Sequence, residues 1–155
     1  MPIYYADTSV LVKRHVAETG SAWVQGLTDP ASGNAIMTAR VSMVEVYSAF
    51  NRRVYEGTLD ATDYTTVVND FAALCTTEYQ LIEFAPLIVD HARGVLERRR
   101  PLRAYDAIQL ASALAANDAL LAQRLAPLIF LAADQRLLGA ARAEGLMVDN
   151  PNTHP

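Results

Sequence analysis

The sequence predicts an α/β fold, a central parallel sheet of about four to five strands with helices covering both faces. Three observations predict it. Short apolar runs alternate with longer stretches of helical periodicity along the whole chain, the pattern of successive β-α units. The 155 residues, 52% of them apolar, fit one domain over 1–155, enough chain to bury about two-thirds of its unfolded surface. Seven Gly, seven Pro and no biased tract, repeat or linker exclude a fibrous or disordered architecture.

The elements follow in order. Pro2 to Ala6 is a short β-type run, and Thr8 to Glu18 reads as a helix directly after it. Turn chemistry at Asp29-Pro-Ala-Ser-Gly-Asn34 precedes a second short run, Ile36 to Ala39. Met43, Val46, Tyr47, Phe50 and Val54 then form one apolar helical stripe, which Gly57 ends. Ala61 to Thr77 is a further helix and Leu81 to Ala85 a third strand. Helices over Ile88 to Arg99 and Ala104 to Leu125 have Pro86 and Pro101 beside their starts. Leu128 to Ala132 is the clearest buried strand, followed by a helix from Gln135 to Glu144 and a last strand from Leu146 to Val148 after Gly145.

Composition bounds the function. A single cysteine, Cys75, excludes a disulfide framework and a Cys-rich zinc site, and suits a reducing compartment. The apolar stretch from Ile108 to Ala133 is interrupted by Asn117, Asp118, Gln123 and Arg124, so no membrane span is expected. Met1 to Asp7 has no basic segment and is not a signal peptide. The expected location is therefore cytoplasmic. Seventeen acids against thirteen bases give a net charge of −4, which argues against holding nucleic acid by bulk positive charge. It does not exclude nucleic acid as a substrate, because acids gathered at one metal site would be neutralised there.

In parallel sheets, ligands bind outside the carboxyl ends of the strands. Asp7 and Asp134 fall at two such ends, Glu45 in the first turn or two of the helix that carries the Met43–Val54 stripe, and Asp106 near the start of Ala104–Leu125. Ala107, Ile108, Leu110, Ala111, Ala113 and Leu114 cover most of the circumference around Asp106, so its helix is buried. A carboxylate on such a helix needs a partner. Simpler roles stand beside these. Asp7 and Asp134 suit N-caps, Asp106 a first-turn acid favoured by the helix dipole, and Glu45 a solvated acid paired with Arg52 or Arg53.

Four stretches in order resemble the PIN-domain family, and specifically the VapC-type toxin ribonucleases of toxin–antitoxin pairs. They are Tyr5-Ala-Asp-Thr-Ser-Val-Leu-Val-Lys13, Val44-Glu-Val-Tyr-Ser-Ala49, Leu102-Arg-Ala-Tyr-Asp-Ala-Ile-Gln-Leu-Ala-Ser-Ala113 and Ala133-Asp-Gln-Arg-Leu-Leu-Gly-Ala-Ala-Arg-Ala-Glu-Gly145. The resemblance implies a PIN-like three-layer α/β/α sandwich. It implies a site of Asp7, Glu45, Asp106 and Asp134, which carry both catalysis and metal, with the family hydroxyl at Thr8 or Ser9 and a substrate contact at Arg103. One departure is Ala132, where many relatives carry Thr.

Carboxylates without His or Cys suit a hard octahedral cation, Mg²⁺ or Mn²⁺, and their mutual repulsion should weaken metal binding on acidification. The implied activity is endonucleolytic hydrolysis of RNA leaving 5′-phosphate and 3′-hydroxyl ends. The implied partners are a VapB-like antitoxin and a second copy of the chain in a homodimer. The alternative is a PIN-like module that binds RNA or protein without cleaving. Arg98, Arg99 and Arg100, with Lys13 and Arg14, read either as phosphate clamps or as solvated basic turns. Tyr4, Tyr5 and Trp23 read either as base-stacking rings or as core.

Overall fold

The computed structural model describes residues 1–155. Five strands, β1 (Ile3–Ala6), β2 (Ala35–Ala39), β3 (Tyr79–Ile82), β4 (Ile129–Leu131) and β5 (Met147–Asp149), form one sheet. Its order is β3-β2-β1-β4-β5, and every pairing is parallel. Seven α-helices connect them: α1 (Thr8–His15), α2 (Ser21–Thr28), α3 (Ser42–Tyr55), α4 (Ala61–Thr77), α5 (Pro86–Arg98), α6 (Ala104–Ala122) and α7 (Gln135–Ala143). No helix is long and apolar enough to cross a membrane.

Alternation along the strands splits the interior in two. Tyr5 points to one face, where its ring stacks on that of its register partner Phe130 at 5.4 Å, above a cluster supplied by α5, α6 and α7. Ala6 and Leu131 point to the other face, against Val10, Leu11, Phe50 and Phe71 from α1, α3 and α4. Two apolar layers on opposite faces make the three-layer sandwich. β1 and β4 are neighbours, so the chain segments leaving them, at Asp7 and Asp134, lie side by side.

The third strand is corrected from Leu81–Ala85 to Tyr79–Ile82. Register with β2 decides it: Ile36 pairs Tyr79 and Ala39 pairs Ile82. Tyr79 is buried against Phe71, whereas Phe84 lies beyond the last pairing and is 54% exposed. The first helix stops at His15, because Val16 turns extended. The segment after it holds a helix that apolar periodicity does not reveal, α2. Its entry depends on Gly20, which has φ +83° and a backbone so close to Pro151 that a Cβ would sit 2.3 Å from the Pro151 carbonyl oxygen. Trp23 of α2 stacks on His154 at 4.2 Å, which fastens the C-terminal tail. Of the aromatic residues considered for base stacking, Tyr5 is fully buried and Trp23 is engaged with His154.

Candidate active site

Asp7 and Asp134 stand at the mouth where β1 and β4 end, and Glu45 and Asp106 lie close enough to exchange electrostatic influence with them. Asp7 immediately follows β1 and caps α1: its Oδ1 accepts from the Val10 amide at 3.2 Å and from the Ser9 hydroxyl at 2.5 Å, leaving Oδ2 without a protein hydrogen bond. Ser9 also accepts from the Ala133 amide at 3.0 Å, so one hydroxyl ties the first acid to the segment leaving β4. Asp134 caps α7 through the Arg136 amide at 2.7 Å and is exposed. Capping and site position are thus compatible, since each cap uses a single carboxylate oxygen.

Glu45 comes from the first turn of α3 and Asp106 from the first turn of α6. Glu45 pairs with neither Arg52 nor Arg53. Its Oε2 accepts from the Thr8 hydroxyl at 2.9 Å, and its Oε1 lies 3.4 Å from Gln109 Nε2, while Arg53 pairs with Glu18. The hydroxyls expected to contact substrate, Thr8 and Ser9, are each engaged in orienting a carboxylate. Arg103 is exposed at the N-cap position of α6 and makes no side-chain cap bond.

Below the acids lies a polar knot that the sequence reading missed. Gln109, 2% exposed, accepts from the Tyr5 hydroxyl at 2.6 Å and donates to Ser42 Oγ at 2.8 Å. Ser42 in turn donates to Thr38 Oγ1 at 3.0 Å, and the Thr38 proton goes to the Ala6 carbonyl at 2.8 Å. This chain of bonds joins the floor of β1, the end of β2 and the starts of α3 and α6. A signal existed in the sequence: Gln109 interrupts the apolar run of a buried helix three residues after Asp106, hence on the same face.

Electrostatics links the acids. Burial pushes the Asp7 carboxyl up to about 7, and the charges of Asp106 and Glu45 add to the rise against the hydrogen bonds from Ser9 and Val10. Glu45 is raised by burial, with Thr8 and Gln109 opposing and Asp106 contributing. Asp106 is raised by burial and then by Asp134, while Arg103 and Arg136 pull it back. Each acid therefore feels at least one other.

The donor set is all carboxylate oxygen, which suits Mg²⁺ or Mn²⁺ and not zinc. No group of three or more His, Cys, Asp or Glu side chains stands ready to grip an ion. Mg²⁺ fits this openness, because it keeps several waters and commonly takes only one or two protein carboxylates.

Lys13 and Arg14 do not face the mouth as phosphate clamps. Lys13 is 5% exposed and donates to Glu18 at 3.1 Å and to the Thr19 carbonyl at 2.9 Å. Arg14 bonds Glu78 at 2.9 Å and the Tyr79 hydroxyl at 3.1 Å. His15 lies edge-on to the rings of Phe50 and Phe71, and burial lowers it to about 4.

Comparison with known proteins agrees with this architecture. The PIN domain profile matches residues 4–124. Ribonuclease VapC45 and ribonuclease VapC49, from two Mycobacterium tuberculosis strains, are each 30% identical over 148 residues, covering 96% of this chain and 95% of theirs. Among solved structures, a chain of Rickettsia felis VapBC2 bound to promoter DNA superposes with a TM-score of 0.65 at 12% identity, covering 96% of this chain and 98% of that one. Mycobacterium tuberculosis VapC20, a toxin that cleaves the sarcin-ricin loop, gives 0.61 at 16% identity over 94% of this chain and 96% of its own.

Proposed function

Because this chain belongs to the PIN-domain family and is of VapC type, we propose that it is a metal-dependent endoribonuclease toxin restrained by a VapB-like antitoxin. One observation carries the reading. Asp7, Glu45, Asp106 and Asp134 come from four separate segments and act on one another electrostatically, and burial, with the charges of Asp106 and Glu45 adding to it, holds Asp7 up at about 7. Nothing in the packing of an ordinary α/β domain requires that concentration of like charge, and a bound cation would relieve it.

The residues divide the work. Asp7, Glu45 and Asp106 would be the residues that hold the ion, with Asp134 assisting them. A bound Mg²⁺ or Mn²⁺ supplies Lewis-acid stabilisation of the phosphodiester and lowers the pKa of water. Ser9 and the Val10 amide fix one oxygen of Asp7 and leave the other available. Thr8 and Gln109 hold both oxygens of Glu45 in place before substrate arrives, so little reorganisation is needed during reaction. Arg103, exposed at the start of α6, contacts a substrate phosphate. Solved relatives include a toxin–antitoxin complex from Klebsiella pneumoniae, with a TM-score of 0.57 at 18% identity. The antitoxin, a homodimer and a cytoplasmic setting complete the proposal.

The test is cleavage of labelled single-stranded RNA and matched DNA by the purified chain, free of antitoxin, with Mg²⁺, with Mn²⁺ and with chelator. Asp7→Asn is the control, since Asn still caps α1. Metal-dependent RNA cuts that vanish in this variant support the enzyme. A folded chain that binds RNA and never cuts it under either metal is the non-cleaving module.

A further inference from the structure

A groove of about 350 Å³ runs beside α7, and none of the four acids lines it. Arg98, Arg99 and Arg100, at the end of α5 and just beyond it, line one side. Arg136, Gly139 and Ala143 line the other. They are spaced three and four residues apart and so share one face of α7. The two small residues keep the groove open below Arg136.

The four cations differ in what they are free to do. Arg98 and Arg99 converge on Glu144 at 2.8 and 3.5 Å, and Arg99 also donates to the Ala143 carbonyl at 3.0 Å. These two brace α5 against α7. Even so, Arg99 Nε is buried with no partner. Arg100 and Arg136 are exposed and join no ion pair. A chain of net charge −4 thus gathers four arginines against one glutamate in a single groove. Arg136 stands at the edge of the groove nearest the acids, and its charge acts on Asp106.

We propose that this groove is a phosphate-binding subsite, in which Arg100 and Arg136 hold backbone phosphates of the RNA strand outside the scissile bond. The inference rests on the ribonuclease reading and adds the path of the strand. Guanidinium groups bind phosphate through paired N–H donors in a planar fork. They act independently of base identity, so the groove sets register and not sequence. Bulk charge cannot hold an anionic polymer to this chain, and a local basic track supplies what the average lacks.

The test uses the full chain carrying Asp7→Asn, so that RNA is bound and not consumed. Labelled oligouridylates of about four and about twelve nucleotides serve as probes, because phosphate contacts do not depend on sequence. Arg100→Ala with Arg136→Ala is compared with Arg52→Ala with Arg142→Ala, which removes two exposed arginines outside the groove. Each protein's melting is checked first.

Loss of two phosphate contacts should flatten the plot of log affinity against log salt by about 1.4, or about 25-fold at 0.1 M salt if binding is equal at 1 M. That loss should appear for the longer probe and in the groove variant alone. Equal flattening in both double variants, or no binding of either probe, overturns the proposal. So does a groove variant that loses affinity for a polyglutamate peptide and keeps it for RNA, which would assign the groove to an acidic protein segment. Cleavage by the unsubstituted chain is scored separately. A groove effect without any cleavage refutes the ribonuclease reading and leaves the groove as an RNA-binding surface.

Discussion

Replacing Gln109 with Leu tests whether the polar knot beneath the acids holds the site together. The substitution keeps bulk and removes both ends of the amide. Two good hydrogen bonds disappear, from Tyr5 at 2.6 Å and to Ser42 at 2.8 Å, along with the longer contacts to Glu45 and Thr8 at 3.4 Å. Each good bond contributes about 1 kcal/mol net, and a buried hydroxyl left unpaired adds about 1–3 kcal/mol. Ser42 keeps Thr38 at 3.0 Å, and the Tyr5 hydroxyl still has the Ala39 backbone and Ser112 beside it. The expected cost is therefore about 2–4 kcal/mol, a fall in Tm of about 10 °C for a chain of this size. Urea unfolding in chelator measures it without any contribution from bound metal. Tyr5→Phe supplies the second arm of a double-mutant cycle: with the hydroxyl gone, Gln109→Leu strands nothing at that end. The double variant should then cost about 1–2 kcal/mol less than the sum of the singles. Additive singles, or a Gln109→Leu cost below about 0.5 kcal/mol, would refute the argument that this amide is the keystone.

Four further outcomes are expected. The Asp7 carboxyl stands at about 7 when folded against an ordinary 3.8, so the ion-free folded chain holds a proton there that the unfolded chain releases. Its contribution to stability is complete below the unfolded value and is lost as pH rises through about 7. Asp7→Asn should flatten the fall in stability between about pH 4 and pH 8 in chelator, and identical slopes in the two proteins would contradict the shift. Mg²⁺ titration of the unsubstituted chain should show the opposite trend, tighter binding at higher pH, because the ion competes with that proton. Asp134→Ala should lose about 1 kcal/mol of helix capping as well as activity, whereas Asp134→Asn should lose activity and keep the cap. Thermal melts of the pair separate the two roles, and equal melting of both variants would mean that the cap contributes nothing. Lys13→Met should destabilise the chain by about 1–3 kcal/mol through its bonds to Glu18 and Thr19, with the salt dependence of RNA binding unchanged. A changed salt slope in a fully stable variant would return Lys13 to the substrate path.

What could be read in advance depended on whether the signal was local. The fold class was legible because burial on both faces leaves its mark residue by residue, in short apolar runs such as Leu128 to Ala132 and in the helical stripe from Met43 to Val54. The four acids were legible as positions, two after strands and two in first helical turns. Their partners were not. Glu45 could be given Arg52 or Arg53 by helical spacing, yet it meets Thr8 and Gln109, which are 37 and 64 residues away. The same limit explains the third strand: hydrophobicity favours Leu81 to Ala85, and only pairing with β2 places Tyr79 inside and Phe84 outside. Lys13 and Arg14 carried charge in the sequence and no hint that one would be buried and the other bound to Glu78 and Tyr79.

The sequence by itself therefore determined the layers, the order of elements and the carboxylate donors, because periodicity, turn chemistry and residue type are properties of short segments. Tertiary structure alone decided which hydroxyl orients which acid, that Gln109 ties Tyr5 to Glu45, and that Arg136 meets the arginines after α5 across a groove. Those are contacts between residues far apart in the chain, and parallel crossovers bring them together only when the sheet closes its register.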